Sequence, residues 1–232
     1  MSGPGPLMTI LVSYIYFCVK AGPQYMKDKK PYDLKSIVML YNIGQILLSV
    51  YMAYKRAKYY RCTYLVRDHP TPTVWLFFVA KISELLDTVF FVLRKKDKQI
   101  TFLHLYHHAT MPIIAWIGAK YAPGGQAVPE GSINAFIHVI MYSYYFISSL
   151  GPQYQKYLWW KKYVTSIQLV STLSEAQFCI IVYMNTNCLM TSNTNYPKFL
   201  SFAVLINCVS FFYMFGKFYY NSYVKANKKR LA

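Results

Sequence analysis

Long apolar runs govern what this chain can fold into. Seven of them lie near Leu7–Val19, Ser36–Tyr54, Thr73–Leu93, Ile100–Ala119, Ile133–Leu150, Tyr163–Met184 and Phe199–Tyr220. All but the first approach the roughly 20 residues that an α-helix needs to cross the hydrocarbon of a bilayer. With 55% hydrophobic and 19% aromatic residues in 232, and a net charge of +17, the composition does not suit a soluble domain, whose apolar residues come in shorter periodic runs. The expectation is an all-α polytopic membrane protein with seven transmembrane helices. They form one integral membrane domain over residues 1–232, with no separate soluble domain.

The first run, 13 residues long, is short for a crossing and suits a signal-peptide core or a partial helix. Nothing basic precedes it, and the following VKAGPQY is a poor cleavage site, so it reads as a helix lacking part of its front. Lys and Arg concentrate on the cytoplasmic side of membrane proteins. The segments Lys20–Lys35, Arg94–Lys98, Lys156–Lys162 and Lys217–Arg230 carry five, four, three and five of them, against seven on the other side. That asymmetry favours a cytoplasmic C-terminus, although five of the seven opposing charges, Lys55 to Arg67, fall in what reads as a single loop. The five cysteines, at 18, 62, 179, 188 and 208, show no paired spacing and are expected in the core. The stretch APGGQAVPEG, Ala122 to Gly131, reads as a loop.

Ionisable side chains within a span cost several kcal/mol unless they face a bundle interior and find partners, so each is a functional candidate. In KISELLDT, the residues Lys81, Glu84, Asp87 and Thr88 fall on one helical arc about 120° wide. Lys81 can pair with Glu84; an internal salt bridge that orients helices and a direct substrate role are both open. In HLYHH, the residues His104, His107 and His108 share a face within one turn. In HVIMYSYY, His138 aligns with Tyr142 and Tyr145, and Asn134 extends the stripe by a turn. In TSIQ, Thr165 and Gln168 stand three residues apart. Four helices with inward polar faces imply a polar chamber. His69, in RDHPTP, reads instead as an ordinary structural histidine.

HxxHH admits two chemistries. Histidine is the commonest metal ligand, and the non-haem di-iron lipid desaturases carry locally similar boxes, so a metal-dependent membrane oxidase is one reading. Those enzymes need roughly twice as many histidines, although counting leaves room for a single zinc on His104, His108 and His138. The alternative is covalent: imidazole is a competent acyl acceptor, and an acyl-imidazole stays activated enough to pass its acyl group on. A dry chamber favours neutral imidazole and protects the intermediate from hydrolysis. A receptor or transporter, with the in-span charges as ligand or ion sites, is a third possibility; no receptor signature appears.

Taken together and in this order, KISELLDT, HLYHH, HVIMYSYY and TSIQ, with KPYDLK at Lys30–Lys35 and DTVFFVLRKK after the third run, resemble the elongase family of very-long-chain fatty acid elongation. These are the condensing enzymes of the endoplasmic reticulum. The resemblance implies that a long acyl-CoA and malonyl-CoA condense to a 3-oxoacyl-CoA two carbons longer, with loss of CO2 and CoA. No cofactor is implied beyond these substrates, and no resident metal. It also implies that six of seven helices enclose a narrow tunnel. On it, His107 is the acyl carrier, His104 and His108 are supporting base or orienting groups, and His138 faces the reacting carbons. Lys81, Glu84, Asp87, Asn134, Tyr142, Tyr145 and Gln168 line the tunnel, with Asn134, Tyr142 and Gln168 as donors to the enolate. Arg94, Lys95, Lys96, Lys98, Lys161 and Lys162 would meet the CoA phosphates. The family usually has a second glutamine three residues after the first, whereas this chain has Ser171. Expected partners are the two CoA thioesters, the lipid membrane, a second copy of the chain and the reductases and dehydratase of the cycle, with no nucleic acid. The tail KKRLA resembles a dilysine retrieval signal except at Arg230.

Overall fold

The computed structural model describes residues 3–62, 71–121, 127–188 and 198–225, and among them there are helices and no strand. His69 and the KKRLA tail lie outside the described residues, as does the first half of the expected 122–131 loop. The helices are α1 (Gly5–Met26), α2 (Lys35–Cys62), α3 (Thr71–Ser83), α4 (Leu85–Leu93), α5 (Phe102–Tyr121), α6 (Ala127–Leu150), α7 (Lys161–Cys188) and α8 (Lys198–Tyr219), the last continued by a π-turn to Lys225. Four segments are long and apolar enough to cross a membrane: Gly5–Met26, Lys35–Lys58, Gly131–Leu150 and Phe202–Lys225. Helices α3 and α4, 13 and 9 residues long, are each too short for that class, and in α5 the three histidines lower the hydropathy of a 20-residue helix.

Three sequence expectations need correction. The first run does not end at Val19: α1 continues to Met26, 22 residues in all. A π-turn over Phe17–Ala21, closed by the Gly22 N–H to the Phe17 carbonyl, carries the helix across Pro23, which has no N–H to give. The second span does not stop at Tyr54, since α2 runs to Cys62 and takes Lys55, Arg56, Lys58 and Arg61 into helix rather than loop. The expected loop at 122–131 is helical from Ala127, with Pro129 in the first turn of α6, where a missing N–H costs nothing.

The chain packs as two compact units, Met1–Tyr41 with Pro70–Pro123 and Asn42–His69 with Gly124–Ala232. In the first, Leu7, Leu11, Tyr14 and Cys18 recur at helical spacing along α1 and bury against Leu85 and Val92 of α4, with Leu105, Ile113 and Trp116 of α5 packed around them. Gly22 makes the approach of α1 to α4 possible: a Cβ there would stand 2.6 Å from Val92 Cγ1 and 2.8 Å from the Phe17 carbonyl oxygen. Helix α3 packs along α5. Helix α4 ends where Lys95 adopts φ 52° and the N–H groups of Lys95 and Lys96 close onto the Val92 and Phe91 carbonyls, a C-cap usually given to glycine. Lys95 Nζ also donates to the Lys27 carbonyl, tying this basic turn to the end of α1.

In the second unit, α7 and α8 form the most extensive helix pair and α6 lies on α7, where Tyr144 meets Trp160 edge to face at 5.4 Å and Gln168 Nε2 donates to Met141 Sδ. Helix α2 is polar on its buried side and apolar on its exposed one. Asn42, Gln45, Ser49, Met52 and Arg56 are buried, whereas Leu40, Leu47, Val50 and Tyr54 face outward. A helix in water shows the reverse pattern; this one is built for a lipid exterior. The Arg56 guanidinium occupies the space over Gly131 that a side chain there would fill.

Candidate active site

In the first unit the site begins with a break in a helix. Between α3 and α4 the chain makes a turn at Glu84, whose N–H reaches the Ala80 carbonyl, while the Asp87 N–H reaches the Glu84 carbonyl. The Ser83 hydroxyl donates to the Ala80 carbonyl at 2.8 Å and the Tyr41 hydroxyl to the Ser83 carbonyl at 3.2 Å, so the interruption leaves these backbone groups paired. Lys81 Nζ sits 2.9 and 3.0 Å from the two Glu84 oxygens, both residues almost wholly buried, and 5.0 Å from the centre of the Phe77 ring. Asp87 and Thr88 are buried as well. Lys81, Glu84, Asp87 and Thr88 of KISELLDT are therefore all buried, across a break that the regular spacing does not announce.

Helix α5 supplies the imidazoles. Thr101 caps it, its hydroxyl accepting the His104 N–H, and thereby fixes His104 in the first turn. His104 and His108, one turn apart, have ring centres 4.3 Å apart; His107 and His108 are at 5.2 Å and near perpendicular. Phe91 of α4 covers His104 at 5.3 Å. His108 is buried and His104 and His107 are half-buried. Pro112 lies inside this helix, four residues after His108, and denies the His108 carbonyl its usual N–H partner. A hydrogen-bonded file then leads outward from the histidines: His104 Nε2 is 2.8 Å from the Thr88 hydroxyl, and that hydroxyl is 2.6 Å from the Tyr14 hydroxyl of α1. Sequence reading singled out Thr88 but not Tyr14, whose one signal was a hydroxyl on the otherwise apolar buried face of α1.

In the second unit, His138 and Tyr142 of α6 are buried, with rings 5.8 Å apart, and Asn134 is half-buried one turn earlier. Tyr145 meets Tyr142 edge-on at 5.9 Å but is 38% exposed, at the rim of the stripe rather than within it. On α7, Thr165, Ser171 and Thr172 are buried and Gln168 half-buried. The stripe of Asn42, Gln45, Ser49 and Arg56 on α2 was not singled out in the sequence, yet its spacings of three, four and seven are helical. Of the basic residues expected near phosphate, Lys96, Lys98, Lys161 and Lys162 are exposed, the first two in the first unit and the others in the second.

The helices and the clustered imidazoles define a class, a multi-pass membrane protein with buried polar side chains. More specifically, the chain belongs to the GNS1/SUR4 (ELO) family, whose model matches residues 1–231. It is similar to very long chain fatty acid elongase 7 of Rattus norvegicus, 39% identical over 98% of this chain and 84% of that protein. To very long chain fatty acid elongase 4 of Homo sapiens it is 38% identical over 99% of this chain and 75% of the relative. A very long chain fatty acid elongase of Aedes aegypti is 36% identical over the full chain, which spans 66% of that relative's length.

Proposed function

We propose that this protein is a very-long-chain fatty acid elongase, the acyltransferase that condenses acyl-CoA with malonyl-CoA. The observation that carries the chemistry is three imidazoles clustered around His108 on a capped, apolar helix, in the same unit as the buried Lys81–Glu84 pair; family membership supplies the substrate class. In the first step an imidazole nitrogen of His107 attacks the thioester carbonyl, CoA leaves as the thiol, and an acyl-imidazole results. Malonyl-CoA then loses CO2, and its enolate carbon attacks the held acyl carbon, returning the imidazole and giving the 3-oxoacyl-CoA. Asn134, Tyr142 and Gln168 are the donors assigned to the enolate oxygen, with His138 beside the reacting carbons. Lys81, Glu84, Asp87 and Tyr145 are assigned to the lining.

On this reading the whole chain is one catalytic domain that crosses the endoplasmic reticulum membrane seven times, with a cytoplasmic C-terminus and six helices around the substrate tunnel. The basic turn at Arg94–Lys98 and the pair Lys161–Lys162 serve the CoA phosphates. The enzyme needs no cofactor, and it works as a dimer in company with the reductases and dehydratase that complete the cycle. The test is incubation of the purified protein with acyl-CoA alone. Free CoA should appear and the protein should gain one acyl mass on a peptide containing His107, and His107→Ala should abolish both. Normal elongation by His107→Ala would remove the carrier assignment, and stoichiometric iron with O2 consumption would replace the reading by a histidine-box oxidase.

A further inference from the structure

The file Tyr14–Thr88–His104 has a direction that can be read from counting hydrogens. Tyr14 and Thr88 bring one hydroxyl hydrogen each, and both residues are buried, Thr88 completely. Tyr14 has one hydrogen-bond partner among the described residues, the Thr88 hydroxyl at 2.6 Å; Thr88 has that partner and His104 Nε2 at 2.8 Å. Three arrangements fill the two bonds. If His104 Nε2–H donates to Thr88 and Thr88 to Tyr14, the Tyr14 hydrogen is stranded in the apolar core of α1. If Thr88 accepts from both sides, its own hydrogen is stranded. Only when Tyr14 donates to Thr88, and Thr88 to Nε2, do both hydroxyl hydrogens of the file have an acceptor. Stranding one costs the desolvation of a buried donor, which a hydrogen-bond network avoids.

We infer that α1 sets the tautomer of His104: Tyr14 and Thr88 are positioning residues that occupy the Nε2 lone pair and keep the ring proton on Nδ1. This inference rests on the elongase reading and sharpens it. A ring in that state has no nitrogen lone pair to offer, so His104 neither takes the acyl group nor acts as a base. It offers an N–H to the reacting groups, the kind of fixed donor that stabilises negative charge building on a thioester oxygen during acyl transfer. His104 keeps its proton through the cycle, and the nucleophile and base lie among the other histidines. The arrangement also gives α1 a part in the site although its buried face is otherwise apolar.

The test uses the full chain, labelled with 15N-histidine, in lipid nanodiscs, with His104→Gln identifying the His104 signals by difference. Protonated Nδ1 and unprotonated Nε2 are expected for His104, and loss of that single state in Thr88→Val. Tyr14→Phe, which keeps the ring in its core, should lower kcat about three- to tenfold with KM little changed, the scale of one lost buried hydrogen bond. Thr88→Val should lower kcat at least as far, and Thr88→Ser should recover most of it. A proton on Nε2 in the wild-type protein overturns the inference. So does unchanged kcat in Tyr14→Phe and Thr88→Val, or a Thr88→Ser enzyme as impaired as Thr88→Val. Failure of the wild-type protein to elongate acyl-CoA would instead overturn the functional reading, while the nitrogen spectrum still decides the tautomer.

Discussion

Removing Lys81 should unmask how much this membrane interior depends on one ion pair. The ammonium stands 2.9 Å from a Glu84 oxygen, with side-chain exposures of 2% and 3%, so neither charge has water to fall back on. Deleting one partner of such a pair leaves the other charge buried and uncompensated, which costs about 3–5 kcal/mol, whereas replacing both by apolar groups of similar size is close to neutral. Lys81→Met should therefore lower stability by about 3–5 kcal/mol, roughly 6–20 °C in Tm for a chain of this size. Lys81→Met/Glu84→Leu should return to within about 1 kcal/mol of the wild type. Thermal unfolding in nanodiscs, followed by tryptophan fluorescence, reads both. Elongation by the refolded double variant then separates structure from chemistry: if the pair serves the substrate, stability returns and activity does not. A loss below about 1 kcal/mol in Lys81→Met, or a double variant no more stable than the single one, would refute the claim that these charges are desolvated and mutually dependent.

Two further perturbations follow from the same geometry. Gly22→Ala would push a methyl against Val92 Cγ1 and the Phe17 carbonyl, and should cost about 1–3 kcal/mol in the same unfolding assay, partly recovered by Val92→Ala. Pro112→Ala would give α5 an N–H for the His108 carbonyl; we expect a higher Tm together with a lower kcat, because straightening the helix moves the histidine turn, and an unchanged kcat would show that the proline has no bearing on the imidazoles.

Much of this was legible in the sequence, because lipid enforces long apolar helices and makes every interior charge conspicuous. Lys81, Glu84, Thr88 and the three histidines stood out for that reason. What stayed hidden depended on packing. The break at Glu84 has no proline or glycine to signal it and is held by Ser83 and Tyr41, from two helices. Tyr14 looked like one more aromatic residue in an apolar run until Thr88 was seen beside it. Arg56 was counted among loop charges because hydropathy falls after Tyr54, although Asn42, Gln45 and Ser49 mark the helical face that it continues. The role of the Lys81–Glu84 pair was undecided by spacing, because a pair three residues apart at the break between α3 and α4 can hold the helices and line the site alike.

The inverted polarity of α2 also makes its two sides separable for engineering. Leu40, Leu47, Val50 and Tyr54 look outward, so repainting that side with glutamate and lysine, here and on its counterparts elsewhere, would exchange the surrounding medium while sparing the inward amides, the serine and the guanidinium. A water-soluble analogue of this chain is thus a problem of exterior decoration, with the interior kept as nature wrote it.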